Sequence, residues 1–78
     1  MKYSNRAKHN LRAVYCISYM SLTGTHYEYA KARSMDTVKA YADREASANG
    51  AVVIDIVNKR LPKNLNSNES FIDLIEAN

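Results

Sequence analysis

Residues 11–60 read LRAVYCISYMSLTGTHYEYAKARSMDTVKAYADREASANGAVVIDIVNKR, and this stretch decides the fold. Within Leu11–Met20, the residues Leu11, Ala13, Tyr15, Ile17 and Tyr19 alternate with Arg12, Val14, Cys16, Ser18 and Met20, the period-two pattern of a strand. Val14, Cys16 and Met20 make the second face largely apolar too, so the strand is expected to be central and at least partly covered on both sides. Ser21–Gly24 supplies a turn, with Gly24 free to take positive φ. In the next strand, Thr25–Arg33, the residues His26, Glu28, Ala30 and Ala32 alternate with Tyr27, Tyr29, Lys31 and Arg33. Two small alanines suit close packing beneath a helix and would leave the tyrosines and basic residues opposite. A one-residue slip in register would exchange the two sets.

Ser34 reads as the N-cap of a helix running to Asn49, with Asp36 in the first turn where the helix dipole favours an anion. Val38, Tyr41, Ala42 and Ala46 recur at helical spacing as a narrow apolar stripe, and Gly50 stands where a left-handed C′ residue ends a helix. The β-branched run Ala51–Val57 then makes a third strand. Because the helix returns the chain, that strand should run antiparallel to the first. Right-handed crossover and the doubly apolar first strand favour the order 2-1-3. Pro62 blocks further strand, Lys63–Ser67 is linker-like, and Asn68–Ala77 reads as a short helix with Phe71, Ile72, Leu74 and Ile75 available for burial. That helix would dock on the uncovered sheet face, or else on a second copy or a partner. The expected architecture is α+β: a three-stranded antiparallel sheet (β-β-α-β, order 2-1-3) with one helix packed on it and a short C-terminal helix. It is one domain, 1–78, with a basic arm at 1–10, the core at 11–60, a linker at 61–67 and the terminal helix at 68–78.

A chain of 78 residues has room for one core and a thin stability margin, and a hydrophobic content of 46% favours a globule over disorder. Cys16 is the single cysteine, which excludes an internal disulfide and fits a reducing cytosol. No apolar run approaches the roughly 18–20 residues of a membrane span, so a soluble intracellular protein with no membrane partner is expected. The net charge of +3 is unevenly spread. Lys2, Arg6, Lys8 and Arg12 make the start basic, while Glu69, Asp73 and Glu76 make the end acidic.

Chemistry-bearing constellations are sparse. His9, Cys16 and His26 are the only soft metal ligands and none pairs with another at ligand spacing, so no metal or cofactor is expected. His26 and Glu28 lie two apart on one strand face and could form a couple. Asp55 lies mid-strand and must be exposed or paired with a base such as Arg12. Neither makes a nucleophile–base pair, and a non-enzymatic protein is expected. Tyr15, Tyr19, Tyr27 and Tyr29 on the hairpin interleave with Lys31, Arg33 and the basic arm. Such rings and cations can stack bases and neutralise phosphates, or anchor a protein interface. The aromatic-glycine signatures of common RNA-binding sheets are missing. The expected contact set is Tyr27, Tyr29, Lys31 and Arg33, helped by Arg6, Lys8 and Arg12.

The arrangement Arg12–Arg60, a hairpin followed by a capped helix and a returning strand, resembles small phage-encoded host-takeover proteins, among them anti-CRISPR inhibitors and phage antitoxins. The resemblance is one of layout, size and composition and transfers no functional residue. It implies a non-catalytic inhibitor in the cytoplasm of an infected bacterium, monomeric or homodimeric. Such a protein binds a host protein or ribonucleoprotein of a defence complex, such as a CRISPR surveillance complex, and blocks nucleic-acid or partner access. The alternative is a small basic accessory protein that binds nucleic acid with the same surface.

Overall fold

The computed structural model describes residues 12–75. Five elements follow one another: β1 (Ala13–Ser21), β2 (Gly24–Ala32), α1 (Met35–Asn49), β3 (Val52–Asn58) and β4 (Glu69–Asp73). They make an α+β unit in which α1 lies against a four-stranded sheet of order β3-β1-β2-β4. β1 pairs antiparallel with β2 on one side and β3 on the other, and β2 pairs parallel with β4.

The sheet is therefore mixed and four strands wide, which corrects the three-stranded antiparallel expectation. β2, placed at an edge by the 2-1-3 order, lies inside the sheet. The stretch 68–78, expected as a helix, holds β4 instead. Two effects override the helical spacing of its apolar residues. A helix of about ten residues is marginal on its own in water. The unfilled edge of β2, by contrast, offers a ladder: the Tyr27 N–H donates to the Asn68 carbonyl and the Leu74 N–H to the Lys31 carbonyl, both at 2.9 Å. As a strand the segment packs Ile72 and Leu74 against the core and leaves Phe71 and Ile75 exposed. The basic arm, 1–10, lies outside the described residues.

Local chemistry sets the turns. No non-glycine residue has positive φ among the described residues, so the positive φ at the hairpin falls on Gly24, at 123°. The Ser21 side-chain oxygen accepts from the Thr23 N–H at 3.3 Å and tightens the same turn. Ser34 caps α1 by accepting from the Thr37 N–H at 3.2 Å. At the other end Gly50 is left-handed (φ 64°), and the Ala51 N–H reaches back 2.9 Å to the Ala46 carbonyl, closing a Schellman-type cap.

The core lies between α1 and the sheet. Ile17, Tyr19, Ala30, Ala32, Val38, Tyr41, Ala42 and Ala46 are buried together, with Val53, Ile56, Ile72 and Leu74 packed around them. The stripe Val38, Tyr41, Ala42, Ala46 is the buried face of α1, and the alanines of β2 and α1 let the two elements close on each other. β3 and β4 sit on opposite edges and run parallel, so residues 59–68 must cross β1 and β2. The β2-to-β3 and β3-to-β4 connections traverse the sheet in opposite directions, and both are right-handed only if they use opposite faces. The second crossing therefore belongs to the side away from α1, where the cross-strand partners Cys16 and Tyr29 are buried. β1 is thus covered on both faces at Cys16 and Ile17.

Candidate functional site

Tyr27, Tyr29 and Lys31 lie on the sheet face away from α1, opposite Ala30 and Ala32, with Glu69, Phe71 and Asp73 of β4 as their respective cross-strand partners. Tyr29 is buried beside Cys16, and that burial pushes both the phenol and the thiol up. Its ring is therefore not part of the accessible surface, whereas Arg33, just past β2, is exposed. The Arg12 guanidinium pairs with the Asp73 carboxylate and joins the start of β1 to the end of β4. Asp55 is exposed and does not use Arg12; its Oδ1 accepts from the Ile56 N–H at 2.9 Å. Arg6 and Lys8 lie outside the described residues. The structure thus brings Tyr27, Lys31 and Arg12 to one face, with two carboxylates, Glu69 and Asp73, set among them.

The α1 side carries a second feature. A cleft of about 340 Å³ opens where the hairpin turn, the last turns of α1 and the approach to β3 meet, lined by Tyr19, Ser21, Thr23, Gly24, His26, Glu28, Glu45, Asn49 and Ala51. Glu28 is its fixed point: the Tyr19 hydroxyl donates to Oε1 at 3.1 Å and the Tyr41 hydroxyl to Oε2 at 2.8 Å. Burial, reinforced by this carboxylate, pushes both phenols well above the usual tyrosine range. His26 and Glu28 both line the cleft, yet each is engaged elsewhere, for His26 Nε2 lies 3.0 Å from the Ser70 hydroxyl. Among the described residues, no three or more His, Cys, Asp and Glu side chains gather where they could hold a metal ion.

Sequence reasoning placed His26 and Glu28 together on one strand face, but not the phenols or the α1 residues that complete this cleft. Tyr19 and Tyr41 were legible as apolar positions of a strand and a helix, and nothing in their spacing says that both phenols reach one carboxylate. The available signal was Glu28 itself, a charge on the alanine face of β2 that must find partners once a helix covers it. Comparison of the chain with protein-family models, curated proteins and solved structures finds no match. No helix among the described residues is long and apolar enough to cross a membrane.

Proposed function

We propose that this chain is a non-catalytic binding protein of the phage host-takeover type. In this reading it acts stoichiometrically on a bacterial defence complex, such as a CRISPR surveillance complex, and blocks access of nucleic acid or a partner. The observation that carries the reading is the apolar end of the sheet. Met20 (52% exposed) and Val52 (66%) are cross-strand partners, and Leu22 at the adjoining turn is fully exposed. Large apolar side chains clustered in water mark interaction surfaces more often than isolated ones do. Along the same face of β2, Tyr27 lies nearer the apolar end and Lys31 and Arg33 lie toward the far end; they would supply polar contacts, with Arg6, Lys8 and Arg12 of the basic segment as further contacts. Glu69 and Asp73 beside them weaken the positive field that a phosphate backbone would require, which favours protein over nucleic acid as the contact.

The experiment is capture of the tagged chain from a bacterium with an active CRISPR system, with and without nuclease. It is run beside the variants Met20→Asp/Leu22→Asp and Lys31→Glu/Arg33→Glu. A defence-complex subunit recovered in fixed ratio after nuclease, and lost from the first variant, is the expected result. Plaque formation by a targeted phage should rise with wild-type expression only. Recovery of nucleic acid alone, with affinity falling steeply as salt rises, would replace this reading with the nucleic-acid one.

A further inference from the structure

The cleft beside Glu28 has a charge layout that the apolar end of the sheet does not explain. Two of its walls carry carboxylates, Glu28 from β2 and Glu45 from α1, and neither wall carries a lysine or arginine. Its third side is the C-terminal end of α1, the negative pole of the helix dipole, and the last turn of α1 holds no basic residue. This negative concavity sits on a chain whose net charge is +3, so it is not a sample of the average surface. Glu28 is also oriented in advance. Each of its oxygens accepts one phenol hydrogen bond and keeps a second acceptor position, and the two phenols come from different elements, so the carboxylate plane is held against rotation.

A fixed carboxylate with both oxygens partly open matches the two-pronged donor geometry of a guanidinium group. The volume of about 340 Å³ lies at the small end of the range for ligand pockets and is sufficient for one side chain. We infer that this cleft receives an arginine side chain of a protein partner, its guanidinium on Glu28 and flanked by Glu45, while Ser21 and Thr23 line the rim. Resting on the binding reading above, it adds the chemistry that the partner must present. Ser21 and Ala51 of the cleft neighbour Met20 and Val52 in sequence, but those two project from the opposite face of the sheet, so the cleft is a contact separate from the apolar end.

The test is a two-dimensional amide NMR titration of the full chain with the blocked peptide acetyl-Gly-Arg-Gly-amide. The same peptide with citrulline, neutral and nearly isosteric, serves as the control. Saturable shifts at Ser21, Gly24, Asn49 and Ala51 are expected with arginine and not with citrulline. Glu28→Gln should weaken binding about tenfold, and Glu45→Gln, which leaves both phenol hydrogen bonds in place, about threefold. The Glu45 variant keeps the test decisive if Glu28→Gln fails to fold. Equal shifts with citrulline, shifts confined to other surfaces, or unchanged affinity in a folded Glu45→Gln protein would overturn the assignment. So would no arginine binding in a chain that still captures its partner, an outcome that leaves the stoichiometric-binder reading standing. Loss of partner capture with arginine binding intact would instead remove that reading and keep the cleft.

Discussion

Glu28 shows how one side chain can couple elements that its neighbours only bring close. On β2 it precedes Ala30 and Ala32, residues that contribute volume and nothing else, while its carboxylate takes one hydroxyl from β1 and one from α1. The fold holds the protons of Tyr19 and Tyr41 more tightly than the unfolded chain does. Their contribution to stability is therefore complete below the ordinary tyrosine pKa of about 10 and drains away as pH rises above it. Thermal midpoints measured from pH 8 to 12 should fall steeply above about pH 10, and the fall should be shallower in the double variant Tyr19→Phe/Tyr41→Phe. Identical slopes in the two proteins would place the alkaline sensitivity elsewhere. Ile17 is a simpler case, fully buried beneath α1. Its truncation to alanine should cost roughly 3 kcal/mol by denaturant unfolding, a large share of the stability of a domain this short. Ile17, Val38 and the alanines were readable from spacing alone. The partners of Glu28 were not, because a side-chain hydrogen bond between β2 and α1 depends on the rotation of the helix over the sheet, which no local pattern encodes.

Secondary-structure elements were legible where local chemistry and tertiary demand agree. Ser34, Gly50 and the stripe between them define α1 as they stand, and Ser34→Ala should lower stability by about 1 kcal/mol through the lost cap on the Thr37 N–H, measurable by chemical denaturation. β4 was not legible, since Phe71, Ile72, Leu74 and Ile75 suit a helix as well as a strand and the deciding factor was an open edge on β2, far away in sequence. Of the two outer edges, that of β3 has its own protection. The Lys59 N–H bonds the Val14 carbonyl, so by alternation the Ile56 N–H points away from β1. There the Asp55 carboxylate occupies it. A charged side chain turned onto its own edge both satisfies the donor and repels an incoming strand. Asp55→Ala should raise self-association, seen as a larger weight-average mass in sedimentation at rising protein concentration, while Asp55→Asn should behave between the two. The single extra residue between the Ser18–Asp55 and Tyr19–Val53 pairs adds a bulge to the same strand, which further spoils it as a template.

At the scale of the molecule, β4 closes the sheet last in sequence and its backbone ladder is to β2 alone. Its pairing is parallel and follows a long crossing, whereas β1 and β2 meet through a tight turn. The β4 ladder should therefore open before the rest of the sheet: in native-state hydrogen exchange the Leu74 amide, bonded to Lys31, should lose protection at lower opening energy than amides in the middle of β1. Matching protection would mean that the four strands unfold as one unit. The pairing of Arg12 with Asp73 has a different consequence, for these residues stand 61 positions apart and yet meet at one corner. The described chain enters and leaves the globule side by side, at the end of the sheet remote from Leu22 and from the cleft. A tether, label or fused domain attached at either side of that corner would hold the molecule by its heel. The Leu22 end would point outward, so immobilisation at that corner should leave a partner that docks on Met20 and Leu22 unhindered, and should hinder one that needs Arg12 or Lys31 at the corner itself.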